Sequence, residues 1–223
     1  MSITIQPRTL VIALAVTTIT GMGARGLIAS PPGAPRAART VWSGPGPGTV
    51  TAGVPTGFAH SEPGVVAAAT TYVRQGQRLF DLPTIDRPAA LQAIASRSGA
   101  DAYVADVSAQ LAELDGIAAH GAGHLTWDVS VLATRVDAYS AQRARVSIWR
   151  VGVLSVTGLT SPIAEWTTVE DELVWERADW KIWAETQIPG PTPAGHPDER
   201  AATPNQLHAL LAGFTRYPGP DPL

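Results

Sequence analysis

The chain has 223 residues, 45% of them hydrophobic, which is enough to bury one core and leave length for an anchor or a tail. It has no cysteine, so disulfide bonds and thiolate chemistry are excluded. The net charge is −3, but residues 1–61 carry four arginines and no acidic residue, whereas the remainder carries 12 basic and 19 acidic residues. A basic arm joined to an acidic domain favours a membrane-proximal protein over one that binds nucleic acid.

A short N-terminal segment, residues 1–8, precedes an apolar stretch at residues 9–29. This stretch predicts a transmembrane signal anchor, because its one charged residue, Arg25, can extend its side chain to the membrane interface. A cleaved export signal and a buried core helix are alternatives that the sequence leaves open. With an anchor, we expect a single-pass protein of the cell membrane whose C-terminal domain is extracytoplasmic.

Within this stretch, Gly21, Gly23 and Gly26 have the spacing of the dinucleotide-binding motif G-x-G-x-x-G. That motif requires a helix directly after it and an acidic residue about 20 positions later. Here a Pro/Gly-rich sequence follows, and the first acidic residue of the chain is Glu62. We therefore predict no cofactor site.

Residues 30–60 are rich in proline and glycine and predict an extended spacer between the anchor and a folded domain at residues 61–188. The domain opens with three segments of helical periodicity, each with a capping signal at its start. These predicted helices are residues 61–78, 86–99 and 101–116.

His120 and His124 lie in a glycine-containing loop after the third predicted helix. Two histidines four residues apart can share a metal ion on a helix, but glycines separate these two and no third ligand is apparent. The pattern favours solvated loop histidines, and we predict no metal site. No known nucleophile motif occurs either, so we predict no catalytic residues.

Four segments rich in Val, Ile, Thr and Trp predict the strands of one antiparallel sheet. They are residues 126–139, 143–155, 166–177 and 180–188. A short polar turn around residues 177–179 predicts a hairpin between the last two strands. The Pro-rich tail, residues 189–223, contains a short helix after Thr203 that either packs back on the domain or binds a partner.

The acidic triplet Glu170-Asp171-Glu172 is the best candidate for chemistry. Strand alternation places Asp171 on the face of Val169 and Leu173 and the two glutamates on the other face. A carboxylate inside an aromatic-lined sheet has a raised pKa and can act as a base. Charges are also common on edge strands, and we expect Asp171 at a surface or an interface.

The order of helices and strands, with the sequences ARVSIWRVGV and EWTTVEDELVWERADWKIWAE, resembles the nuclear-transport-factor-like, or cystatin-like, α+β cone. More closely, it is similar to the extracytoplasmic domain of the bitopic inner-membrane scaffold subunit of type IV secretion and conjugation machines. The composition also resembles that of actinobacterial proteins from conjugal-transfer regions. The resemblance implies a curved four-stranded antiparallel sheet covered by N-terminal helices, behind a transmembrane anchor.

Scaffold subunits of this kind have no catalytic site, self-associate and bind other channel subunits. The resemblance therefore implies a non-enzymatic, membrane-anchored assembly subunit with protein partners, possible homo-oligomers and no nucleic-acid partner. Enzymatic relatives on the same cone use an Asp base and a Tyr donor. A small-ligand binder or enzyme with Asp171 as its base is thus the alternative, with Tyr72, Tyr103 and Tyr139 as the tyrosines present. An exported domain that binds a cell-wall or protein partner is a third hypothesis.

Overall fold

A computed structural model of the chain describes residues 44–120, 124–157, 162–193 and 201–217. The predicted membrane anchor, residues 9–29, lies outside these ranges. Within them, no helix combines the length and the apolar character needed to cross a membrane. The described residues form an α+β domain in which helices cover one face of an antiparallel sheet, and this confirms the predicted class.

A small hairpin precedes the helices, where the sequence predicted an extended spacer through residue 60. Its two strands pair antiparallel: β1 (Thr49–Thr51) and β2 (Val54–Thr56). The turn residues Ala52 and Gly53 have φ angles of 48° and 81°, left-handed conformations that allow a tight hairpin. Val54 and Phe58 are buried in the core. These apolar anchors explain why a glycine- and proline-rich segment folds onto the domain.

Four helices follow: α1 (Glu62–Tyr72), α2 (Gly76–Asp81), α3 (Arg87–Ile94) and α4 (Asp101–His120). As predicted, Ser61 caps the first of them, since its hydroxyl accepts a hydrogen bond from the Gly64 amide at 3.2 Å. The predicted single helix at residues 61–78 is instead two helices. The break brings Gly76 so close to the Trp127 ring that a Cβ there would lie 2.6 Å from it.

The sheet has five strands in the order β6-β5-β4-β3-β7, all antiparallel to their neighbours. They are β3 (Leu125–Tyr139), β4 (Arg143–Val156), β5 (Ile163–Glu176), β6 (Asp179–Pro189) and β7 (Thr215–Arg216). The four long strands and the hairpin between β5 and β6 confirm the prediction. The sequence missed β7, because two residues are too few to show alternation.

Besides a small cluster of Leu114, Leu125 and Val156, the helices and the inner face of the sheet share one main hydrophobic core. Its largest fully buried side chain is that of Trp180 on β6. The Trp180 indole donates a hydrogen bond to the Ala59 carbonyl at 3.0 Å, and the Tyr72 hydroxyl donates to the Trp180 carbonyl at 2.9 Å. Trp180 therefore joins α1 and the segment before it to the sheet.

The neighbours of Trp180 form a buried ion pair. Lys181 Nζ lies 2.7 Å from Asp179 Oδ2, and both side chains are less than a tenth exposed. Lys181 also donates to the Ala93 carbonyl in α3 at 2.6 Å, and the other Asp179 oxygen accepts the Phe58 amide at 2.8 Å. Because both charges have partners, this pair fixes the position of α3 and of the N-terminal hairpin.

The C-terminal segment contacts the outer face of the sheet at two places. The Trp149 indole on β4 donates to the Pro191 carbonyl at 3.1 Å, and the Arg135 guanidinium on β3 lies 4.7 Å from the centre of the Phe214 ring. Between these contacts, helix α5 (Pro204–Leu210) begins at the capping residue Thr203. The predicted short helix is confirmed, and it lies in a segment that packs back on the domain.

Candidate functional site

Strand β5 carries the acidic triplet, and alternation divides it between the two faces of the sheet. Asp171 faces inward and is fully buried. Its neighbours on the same face, Val169 and Leu173, are also fully buried. Glu172 faces outward and accepts a hydrogen bond from Arg145 at 2.8 Å. The predicted face of Asp171 is thus confirmed, whereas the expectation that it lies at a surface or an interface is wrong.

A second carboxyl, that of Glu185, lies opposite Asp171. The two residues are direct partners in the antiparallel ladder between β5 and β6, so both side chains project from the inner face. A register shift at Trp183 places Glu185 there. Without this bulge, simple alternation from Ile182 would put Ala184 on the inner face and Glu185 on the outer face. Nothing in the sequence of β6 alone predicts this pair.

Arg150 is the basic residue that acts on this acidic pair. It follows Val146 and Ile148 at the spacing of one strand face, so it lies on the inner side of β4. Its Nε donates to the Thr167 hydroxyl at 3.0 Å, and its Nη1 donates to the Val73 carbonyl at 3.4 Å. Arg150 is therefore held in place and supplies positive charge next to the two carboxyls. The alternation along β4 was a signal that could have identified it.

Tyr103 of α4 closes the site from the helical side. Its side chain is buried, and burial raises the pKa of its hydroxyl well above the usual value, with further contributions from Glu185 and Asp171. The structure thus brings one of the three tyrosines named above close to Asp171. Tyr72 bonds to the Trp180 carbonyl, and Tyr139 contacts the Trp180 ring.

Burial is the main cause of an altered pKa at both carboxyls. It raises the pKa of Asp171 well above the usual range; the negative charge of Glu185 raises it further, and Arg150 opposes the change. Burial likewise raises the pKa of Glu185, again opposed by Arg150. Two adjacent carboxyls with one cation nearby favour a state in which the pair retains a proton.

With both carboxyls ionised, the oxygens of Asp171 have no hydrogen-bond donor among the described residues, although Glu185 lies within hydrogen-bonding reach. Two ionised carboxylates can only accept hydrogen bonds, so Asp171 and Glu185 cannot satisfy each other while both are charged. A proton on either one converts it into a donor. The arrangement can therefore hold a shared proton on the inner face of the sheet.

Two surface cavities, of about 420 and 210 Å³, are present in the described domain. The larger is lined by residues of β3, of the α1–α2 junction and by Tyr217, and the smaller by residues of α3 and α4 with Thr84. Neither is lined by Asp171, Glu185, Tyr103 or Arg150. Asp171 is thus fully buried and Glu185 half-buried, and neither of these two cavities leads to the pair.

The described residues contain no cluster of His, Asp and Glu side chains able to hold a metal ion. His124 is exposed just before β3, as predicted for a loop histidine. The predicted loop position of His120 is wrong, because α4 extends to this residue, and its side chain lies outside the description. His60 stacks on the Trp175 ring at a centroid distance of 3.9 Å.

The fold and the site define an α+β domain with two adjacent carboxyls on the inner face of its sheet, a fully buried Asp171 and a half-buried Glu185. The chain belongs to the family described as a domain of unknown function, DUF8175, which matches residues 34–204. Its structure is similar to the crystal structure of the intermembrane space region of the chloroplast protein ARC6. That similarity has a TM-score of 0.39 and 16% identity, and it covers 58% of this chain and 98% of the other. No curated protein matches the sequence.

Proposed function

We propose that this protein is a non-enzymatic, membrane-anchored assembly subunit of a conjugative transfer or type IV-like secretion apparatus. Residues 9–29 would hold it in the membrane, and residues 44–217 would form the domain that contacts itself and other subunits. The succession of helices and an antiparallel sheet resembles the nuclear-transport-factor-like cone of bitopic scaffold subunits. This resemblance supports the pathway part of the proposal.

The observation that supports the non-enzymatic part is the full burial of Asp171, the candidate base. A catalytic base has to reach the proton that it abstracts, at hydrogen-bond distance or through one water. Asp171 is fully buried, and neither of the two described cavities is lined by it. The core that would hold a ligand in an enzymatic cone is instead filled by side chains such as Trp180, Ile182 and Leu173.

A ligand-binding protein or enzyme on the same cone is the second candidate. The observation that favours it is the convergence of Asp171, Glu185, Arg150 and Tyr103 on the inner side, with two carboxylate oxygens lacking partners. Such a site would act with Asp171 as the base and Tyr103 as the donor. It would require the helices to move away from the sheet before a ligand could enter.

Fractionation and cross-linking of the full chain in a transfer-competent host test the proposal. We expect the protein to remain with membranes after a high-salt wash and to be extracted by detergent. Chemical cross-linking in intact cells should give species larger than one chain. Recovery of an unlinked monomer in the washed soluble fraction would contradict the proposal.

A further inference from the structure

The larger surface cavity, of about 420 Å³, lies along the free edge of strand β3. Four consecutive residues of β3 line it: Asp128, Val129, Ser130 and Val131. Successive side chains of a strand point to opposite faces of the sheet, so only the strand edge adjoins all four residues. Arg74 and Gln75 face this edge from the α1–α2 junction, and Tyr217 lies at one end of it.

The backbone of β3 is open along this cavity. Strand β7 pairs only with Ala133 and Thr134, and the last bond of that ladder joins the Tyr217 amide to the Leu132 carbonyl at 2.9 Å. Further along, the Trp127 amide donates to the side chain of Gln77, so it points away from β4. Alternation then directs the amides of Val129 and Val131 to the same open edge.

Among the described residues, no acceptor forms a hydrogen bond with the edge-facing amides of Val129 and Val131. Unpaired strand edges of this kind are templates for the addition of another strand.

Two polar side chains of the α1–α2 junction add specificity to this edge. Gln75 is 8% exposed; its amide nitrogen donates to the Thr71 carbonyl at 2.9 Å, while its Oε1 has no partner in the described part of the chain. Arg74 is held by a bond from its Nε to the Thr70 carbonyl at 3.1 Å and lies 5.8 Å from the Tyr217 ring centre. The edge thus offers one buried acceptor and one fixed cation.

We propose that this edge groove binds an extended segment of a partner protein, which adds to β3 as a strand in line with β7. The segment pairs its backbone with Val129 and Val131, donates a backbone amide to Gln75 Oε1 and places an acidic side chain at Arg74. The inference rests on the proposed function as an assembly domain, and it specifies the surface and the kind of segment used.

The sequence of the chain argues for a separate partner. The residues that follow Tyr217 include Pro218, Pro220 and Pro222. Proline has no amide hydrogen and cannot donate to a sheet ladder. The chain's own C-terminus is therefore poorly suited to extend β7 along the edge, whereas a partner segment without proline fits it.

Selection of peptides on the full-length chain tests this inference. The probe is a phage-displayed library of random linear peptides of about ten residues, followed by synthesis of the selected sequences. We expect selected peptides to lack proline at alternate central positions and to share an acidic residue. Bound peptide should slow hydrogen exchange at the Val129 and Val131 amides and leave the exposed edge of β6 unchanged.

The substitution Gln75→Leu removes the buried acceptor, and we expect it to weaken peptide binding about tenfold or more. Gln92→Leu, at an exposed position of α3, is the matched control and should bind like the wild type. The melting temperatures of both variants show whether weaker peptide binding reflects a change in the groove or unfolding of the domain. Arg74→Glu should shift the selected peptides from acidic to basic residues.

Three results would overturn the inference. The first is that the Gln75→Leu and Gln92→Leu variants bind the peptides equally well. The second is that bound peptide slows hydrogen exchange only in elements other than β3. The third is that peptides bind only after residues 218–223 have been deleted. The last would identify the chain's own tail as the occupant. None of them affects the membrane fractionation or the cross-linking of the full chain, so the proposed function and this inference fail separately.

Discussion

Asp171 and Glu185 face each other across the β5–β6 ladder on the inner face of the sheet, where Asp171 is fully buried and Glu185 half-buried. Two like charges at directly opposed positions of a sheet destabilise it unless one is neutralised. Burial raises the pKa of both groups, and the positive charge of Arg150 opposes this rise. The stability of the folded domain therefore depends on a proton that this carboxyl pair retains.

This arrangement predicts how stability depends on pH. A carboxyl whose pKa is higher in the folded state binds its proton more tightly there than in the unfolded chain. Its contribution is complete below the ordinary carboxyl pKa of about 4 and is lost as pH rises through the raised folded pKa. Arg150 opposes this loss, and Tyr103 and Asp106 of α4 are the other titratable groups near the pair. We expect the melting temperature to fall between mildly acidic and alkaline pH.

The substitution Asp171→Asn removes this dependence and retains the shape of the side chain. The amide can donate to Glu185, so the variant should be more stable than the wild type at about pH 8, by roughly 1–2 kcal/mol, the usual penalty of an unpaired buried polar group. Near pH 5 the difference should shrink. Denaturant unfolding at both pH values measures it, and a variant less stable than the wild type at pH 8 would contradict the shared-proton account.

The Asp179–Lys181 pair predicts a large effect of a single truncation. Lys181→Met leaves the Asp179 carboxylate buried without its cation, and removal of one partner of a buried ion pair costs about 3–5 kcal/mol. Arg145→Ala breaks an ion pair in which the arginine is 53% exposed, and should cost no more than about 1 kcal/mol. Urea unfolding of the two variants should separate them clearly. Similar losses would contradict the structural role of Lys181.

The β5–β6 turn contains two residues in the left-handed conformation, Arg177 with φ of 54° and Ala178 with φ of 58°. Such a turn prefers glycine at its second position. Ala178→Gly should therefore stabilise the domain by about 0.5–1 kcal/mol. The same change at Ala67, inside α1, should destabilise it by about 1 kcal/mol, because glycine is a poor helix former. Thermal unfolding measures both, and destabilisation by Ala178→Gly would contradict the turn geometry.

Two glycines give a further matched comparison. A Cβ at Gly76 would lie 2.6 Å from the Trp127 ring, whereas a Cβ at Gly116 would meet no atom within 4 Å. Gly76→Ala should destabilise the domain by about 1–3 kcal/mol through overpacking. Gly116→Ala, within α4, should stabilise it by about 0.5–1 kcal/mol. Unfolding curves that place both variants on the same side of the wild type would contradict the predicted packing.

The sequence predicted the elements that depend on local pattern. Strands β3 to β6 were found because valine, isoleucine, threonine and tryptophan recur along each of them, and Ser61 and Thr203 mark helix starts by their capping chemistry. The break between α1 and α2 was missed because it accompanies the contact of Gly76 with Trp127, which joins residues distant in the chain.

The candidate site was predicted only in part, for a similar reason. Alternation gave the inward direction of Asp171, but not whether helices would cover it. The inward position of Glu185 depends on the bulge at Trp183, which follows from pairing with β5 and not from the sequence of β6 alone. The position of Tyr103 above the carboxyls depends on how α4 packs.

The central claim is that the protein is not an enzyme and that the Asp171 carboxyl has only a structural role. Complementation with the Asp171→Asn variant tests this claim most directly. If the proposed function holds, conjugative transfer is lost in a host from which the gene has been deleted and is restored by the wild-type chain. The account predicts that the Asp171→Asn chain, which folds and keeps its closed core, restores transfer to the wild-type level. A stable, membrane-associated Asp171→Asn protein that fails to restore transfer would show that the carboxyl itself is needed, and would contradict a purely structural role.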